Sequence, residues 1–84
     1  MNWKKEFLRE RDEAVRSLDV ETFKAFYTKW KERGFYYLPL PRDAIIEITM
    51  RKMLYNIKSA TEQEKEEAKN WLHERGFTCK VFEG

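Results

Sequence analysis

The chain has 84 residues, of which 42% are hydrophobic, 15% aromatic and 38% charged. This apolar fraction excludes a disordered chain, and the length predicts one compact domain over residues 1–84. Three glycines and two prolines are too few for a turn-rich β fold, so long helices are expected. The net charge of +2 is spread along the sequence, which argues against the concentrated cationic footprint of a typical nucleic-acid binder.

The cellular location is predicted from the single cysteine and from the absence of long apolar segments. Cys79 has no second cysteine in the chain with which to form a disulfide. Residues Met1–Glu6 show no apolar signal segment, and the longest uncharged apolar run, Phe35–Pro41, is far too short to cross a bilayer. We therefore predict a cytoplasmic protein that has no membrane partner.

Two amphipathic helices are predicted in the first half, over about 3–17 and 20–33. Asp19 is the expected N-cap of the second helix, because its carboxylate can accept hydrogen bonds from the first free N–H groups. At helical spacing, one arc of the first helix contains Trp3, Phe7, Ala14, Val15 and Leu18. The second helix carries a stripe predicted to be buried, formed by Val20, Phe23, Phe26, Tyr27 and Trp30.

The tetrapeptide Glu-Arg-Gly-Phe occurs twice, at Glu32–Phe35 and at Glu74–Phe77. In each copy the glycine can adopt the left-handed backbone that ends a helix, and the following phenylalanine can pack on the residue five positions earlier. That residue is Trp30 in the first copy and Leu72 in the second. Outside the tetrapeptide the two halves barely agree, so a shared helix-stop signal is favoured over a duplication.

A third helix is predicted over about 42–57, opened by Pro41. It is apolar on two sides, which is typical of a central element. Its first arc contains Ile46, Met50, Met53, Leu54 and Ile57, and its second contains Ala44, Ile48 and Tyr55.

A fourth helix is predicted over about 62–75, because Thr61 and Glu64 have the spacing of a capping box. Strand-forming residues precede the third helix at 35–38 and follow the fourth at 77–82. Each strand needs a partner for its backbone groups, so we expect the two to pair. The predicted fold class is α+β, mainly helical, with four helices and a small two-stranded sheet. The alternative is an all-α bundle with extended tails.

No catalytic, cofactor or metal site can be assembled from these residues. His73 and Cys79 belong to different predicted elements and are expected to face differently, so they do not predict a nucleophile pair. Two such ligands are also too few for a zinc site. The acidic residues at the start of the fourth helix suit a solvated helix N-terminus, and three isolated glycines cannot form a phosphate loop.

Two groups of residues are candidates for binding a partner. The first comprises Tyr36, Tyr37 and Arg42, since an exposed tyrosine near an arginine is typical of protein interfaces. The second is the second arc of the third helix, including Ile48 and Tyr55, which forms an apolar patch if nothing covers it. The alternative for both groups is packing inside the domain.

The leading functional hypothesis is a small, non-enzymatic protein-interaction or adaptor domain that binds either itself or another protein. The alternative is a small nucleic-acid-binding regulator whose first half resembles a helix-turn-helix, because the link between the first two helices is short. Cationic and polar residues lie off the apolar stripe of the second helix, namely Lys24, Thr28, Lys29 and Lys31. The acidic Glu21 and the small net charge disfavour that alternative.

Overall fold

A computed structural model describes residues 3–81, which form four α-helices. They are α1 (Trp3–Ser17), α2 (Val20–Glu32), α3 (Asp43–Asn56) and α4 (Glu62–Glu74). Each predicted helix is present, and each boundary lies within one residue of its predicted position. Within the described part of the chain no helix is long and apolar enough to span a membrane.

The predicted start signals of α2 and α4 are confirmed. The Asp19 carboxylate accepts a hydrogen bond from the Thr22 backbone N–H at 3.1 Å. At α4 the Thr61 hydroxyl accepts from the Glu64 N–H at 3.1 Å, while the Glu64 carboxylate accepts from the Thr61 N–H at 2.8 Å. This reciprocal pair satisfies two backbone donors that the first turn of the helix leaves free.

The two helix stops are also confirmed, and they have the same geometry. Gly34 and Gly76 adopt φ angles of 88° and 81°. The Phe35 N–H donates to the Trp30 carbonyl at 3.0 Å. The Phe77 N–H donates to Leu72 in the same way at 2.9 Å. These are the six-to-one bonds of a Schellman motif.

The predicted α+β class is wrong, because residues 3–81 contain no strand. Instead of pairing with each other, the segments at 35–38 and 77–81 are held by side chains. The Leu38 carbonyl accepts from the Tyr27 hydroxyl at 2.8 Å, and the Cys79 carbonyl accepts from the Asn56 side-chain amide at 2.9 Å. Residue 82 of the second predicted strand lies outside the described residues. The structure is therefore the all-α bundle given as the alternative.

The bundle consists of two antiparallel helix pairs. Within the first pair, the Phe7 and Trp30 rings are 5.1 Å apart between centres, and Lys29 lies 2.8 Å from Glu10. The contacts between α1 and α2 therefore continue along both helices, unlike those of a helix-turn-helix, whose helices cross steeply. In the second pair α4 returns along α3, so that the Arg51 guanidinium lies over the Trp71 ring.

The core forms around α3, which contacts each of the other three helices, as predicted. Its buried residues, Ile46, Met50 and Leu54, all come from the first apolar arc. Among the described residues no polar or charged side chain is buried. The principal buried cluster contains Ala14, Val15, Phe23, Phe26, Tyr27, Trp30, Ile46, Met50, Leu54, Ile57, Ala60 and Ala68.

Candidate protein-interaction surface

An aromatic cluster anchors the α2–α3 loop, defined as residues 33–42. Trp30 is fully buried, and its ring meets the rings of Phe7 and Phe35 edge-on, each at 5.1 Å between centres. The Trp3 ring also packs on Phe35, with ring centres 4.8 Å apart. These contacts hold the start of the loop against α1 and α2.

Tyr36 lies inside this cluster rather than on the surface. Its ring stacks on Tyr27 with centres 4.3 Å apart and an angle of 14° between the planes. Burial raises the pKa of the Tyr36 hydroxyl above its usual value. The side chain is half-buried, so Tyr36 supports the loop from within.

The next two residues point outward. Tyr37 is 90% exposed and Leu38 is 73% exposed, which makes them the most exposed large apolar side chains of the described residues. Their backbone is nevertheless fixed, because Tyr36 is stacked on one side and the Leu38 carbonyl is bonded to the Tyr27 hydroxyl. We call the Tyr37 and Leu38 side chains the apolar knob.

Arg42 stands at the end of the loop, in the N-cap position of α3. Its side chain forms no capping hydrogen bond and is exposed. The following residue, Asp43, binds Lys24 of α2 at 2.7 Å, which fixes the loop at this end as well. The structure therefore leaves the Arg42 guanidinium available on the same loop as the knob.

The second group of candidate residues lies elsewhere. Ile48 is half-buried and Tyr55 is 37% exposed. Tyr55 lines a surface cavity together with Lys65 and Lys69 of α4. Since α3 rises 1.5 Å per residue, Tyr55 is about 20 Å from Arg42 along the helix. The structure does not bring the two groups into one surface.

Leu38 is a candidate residue that the sequence interpretation missed. The sequence predicts that it belongs to a paired strand, where only one of two neighbouring side chains faces outward. Its position directly before Pro39 was the available signal, because proline removes a donor and favours an unpaired, extended backbone.

The expected separation of His73 and Cys79 is also wrong. The Cys79 sulfur lies 3.9 Å from His73 Nε2, because residues 77–81 fold back beside α4 instead of forming a strand. Within residues 3–81 no further side chain is bonded to the imidazole. A catalytic pair needs a third group to orient its base, so this contact alone does not define an active site.

Trp71 marks a second feature that periodicity did not reveal. The guanidinium carbons of Arg51 and Arg75 each lie 4.0 Å from the centre of its ring. Arg75 also donates to the Trp71 carbonyl at 3.0 Å, near the end of α4. Burial lowers the pKa of the Arg51 guanidinium. The two cation–π contacts stabilise the C-terminal end of α4, each by about 0.5–2 kcal/mol of free energy.

Comparison with known proteins does not identify a relative. No family model, curated protein or solved structure matches this chain. The described residues also contain no group of three or more side chains able to hold a metal ion. The function must therefore be inferred from the geometry of the surface.

Proposed function

We propose that the chain is a protein-interaction domain and that its contact surface is the α2–α3 loop. The observation that supports this proposal is the apolar knob, in which Tyr37 is 90% exposed on a backbone fixed by its neighbours. A solvated tyrosine and leucine gain free energy when a partner covers them. Because the loop is already ordered, little conformational entropy is lost on binding.

Arg42 adds a cationic group to the same loop. Tyrosine and arginine are enriched among the residues that dominate binding energy in protein interfaces. We assign no catalytic residue, cofactor or metal to the chain, and we propose that it is located in the cytoplasm.

No observation favours the nucleic-acid alternative. Two of the cations that suggested it are paired with acidic side chains, since Lys24 lies 2.7 Å from Asp43 and Lys29 lies 2.8 Å from Glu10. Their charge is largely neutralised within the domain, which leaves little to attract phosphates.

Site-specific photo-crosslinking in cells tests the proposal. A benzophenone amino acid replaces Tyr37 in one variant and the exposed Glu62 of α4 in a control variant. We expect discrete adducts from position 37, none from position 62, and loss of the position-37 adducts when Leu38→Asp is added. Equal labelling from both positions, or none from position 37, would contradict the proposed surface.

A further inference from the structure

An apolar groove lies between α1 and the C-terminal end of α3. Its apolar walls are the side chains of Leu8, Met53, Ile57 and Val81. Its volume is about 580 Å³, which lies within the range of sites that bind a small organic molecule. No residue of the α2–α3 loop lines it, so the groove is separate from the surface proposed above for a protein partner.

Water reaches the apolar walls of the groove. Leu8 and Val81 are each more than a third exposed and Met53 is half-buried, whereas Ile57 belongs to the core cluster. A ligand that covers these walls removes apolar surface from water, which favours binding.

Hydrogen bonds link the elements that form the groove. The Asn56 side-chain amide donates to the Cys79 carbonyl at 2.9 Å, which holds the segment that contains Val81 against the end of α3. The Asp12 carboxylate of α1 accepts from the Ser59 hydroxyl, in the link between α3 and α4, at 3.0 Å. The groove is thus formed before any ligand arrives, so little conformational entropy is lost on binding.

One cation of the groove has no counter-ion among the described residues. The Arg11 guanidinium donates twice to one oxygen of Asp12, at 3.1 and 2.9 Å, so its charge is neutralised within α1. Lys58 also lines the groove and is exposed, and it forms no ion pair with any of residues 3–81. The unbalanced charge of the described lining residues is therefore that single ammonium group.

We propose that the groove binds a medium-chain alkyl carboxylate, with its chain against Leu8, Met53 and Ile57 and its carboxylate at Lys58. A neutral ligand would displace water from the Lys58 ammonium without compensating its charge, which weakens binding. A cationic ligand would be repelled by it. A single anionic group at the end of an apolar chain matches both the walls and the charge.

Methyl NMR of the methionines tests the site, with octanoate as the probe. Met53 lines the groove, whereas Met50, one turn earlier on α3, is fully buried in the core and serves as the internal control. The methionine methyl groups carry ¹³C, and Met53→Leu assigns the signals. Octanoate added up to about 10 mM should shift the Met53 signal in a saturable manner and the Met50 signal much less. An unchanged Met53 signal, or equal shifts of both signals, would overturn the proposal.

A second titration tests the charge. Lys58→Gln should weaken the binding of octanoate about two- to fivefold, as expected for the loss of an exposed ion pair, and leave the weaker binding of 1-octanol unchanged. The matched control is Lys31→Gln, which removes an exposed lysine of α2 that does not line the groove and should change neither affinity. If Lys58→Gln binds octanoate as tightly as the wild type does, Lys58 does not recognise the carboxylate and the proposal is refuted.

Chain length and dilution separate this ligand from other occupants. Octanoate should bind on the order of tenfold more tightly than hexanoate, because each buried CH₂ group strengthens binding about fourfold. Equal affinities would show that the alkyl chain lies outside the groove. A Met53 signal that shifts on dilution of the protein alone would place a second copy in the groove and likewise overturn the proposal. Photo-crosslinking at position 37 reports on the α2–α3 loop, so failure of either proposal leaves the other intact.

Discussion

Glu10 provides the main polar link between α1 and α2. Its carboxylate accepts two hydrogen bonds from Lys29, at 2.9 and 2.8 Å, and one from the Trp30 indole N–H at 3.3 Å. The hydrogen bond from Lys29 is the main cause that holds the pKa of this carboxyl below its usual value. One side chain thus satisfies the only polar atom of a buried tryptophan ring and neutralises a neighbouring cation.

This lowered pKa predicts a loss of stability in acid. The unfolded chain binds a proton near the ordinary carboxyl pKa of 4.5, whereas the folded chain binds it only at lower pH. The contribution of Glu10 is therefore present above that pH and is lost as the pH falls through the folded pKa. We expect the free energy of unfolding, measured with urea between pH 7 and 3, to fall less steeply for Glu10→Gln.

The control for this prediction is Glu13→Gln, which removes an exposed carboxylate from the same helix. This variant should leave the slope of the unfolding free energy against pH close to that of the wild type. Part of the slope remains in Glu10→Gln because hydrogen bonding to the Thr61 backbone also lowers the pKa of Glu64. Identical slopes for Glu10→Gln and the wild type would contradict the assigned role.

Replacing aromatic residues should separate stability from binding. Trp30 is 0% exposed and Tyr37 is 90% exposed. Trp30→Ala is expected to lower the free energy of unfolding by about 3–5 kcal/mol, which is most of what a core this small supplies. Tyr37→Ala should change it by less than about 0.5 kcal/mol. Urea unfolding followed by circular dichroism measures both, and a large loss for Tyr37→Ala would show that the knob serves the fold.

The direction of each loop tyrosine could not be read from the sequence. Tyr36 and Tyr37 are adjacent and chemically identical. The sequence therefore predicts only that one ring faces the domain and the other faces solvent, because neighbours in an extended chain face opposite ways. It does not predict which ring is which. The contact that decides between them is the stack with Tyr27, nine residues earlier on another element. The sequence predicted a candidate interaction loop, but not which ring it displays.

The helices, by contrast, were predictable because their signals are local. The Asp19 cap and the capping box at Thr61 act within three residues, and each glycine stop within six. Such signals need no knowledge of the tertiary fold. This explains why the four boundaries that these signals mark, the starts and ends of α2 and α4, lie within one residue of their predicted positions.

The two glycine stops allow a matched comparison at the level of the element. A side chain added at Gly34 or Gly76 would meet no atom within 4 Å, so substitution is penalised by the left-handed backbone alone. Alanine at either position is expected to cost about 1–2 kcal/mol of unfolding free energy in urea. Asparagine should cost less, because it tolerates this conformation. An alanine variant as stable as the wild type would contradict the account.

The predicted sheet failed because pairing is a long-range property. Strand-forming residues at 35–38 and 77–82 indicate an extended backbone but do not specify a partner. Tyr27 and Asn56 each donate a hydrogen bond to a backbone carbonyl of these segments, in place of the N–H of a neighbouring strand. A side chain on a helix can satisfy an extended segment as well as a strand can, and residue composition does not distinguish the two.

At the scale of the whole molecule, α3 connects the two helix pairs. Ile46, Met50 and Leu54 are at most 2% exposed and belong to the principal core cluster, which also includes α1 and α2 side chains. The pairs are also joined at the surface, where Arg16 of α1 lies 3.2 Å from Glu64 of α4. Neither pair can bury its apolar side without the other, because units of fewer than about 40 residues rarely hold a core alone.

This dependence predicts that both helix pairs unfold together. The first helix pair contains a buried tryptophan, Trp30, and the second contains a partly buried one, Trp71. Uniform labelling with 5-fluorotryptophan reports on both by ¹⁹F NMR without a substitution. We expect the Trp30 and Trp71 signals to have the same urea midpoint, as a two-state transition requires. Trp3, at the first turn of α1, serves as the internal control for fraying of a helix end. If Trp71 lost its native signal at a lower urea concentration than Trp30, the second pair would be a separate unit, and α3 would not hold the core as one.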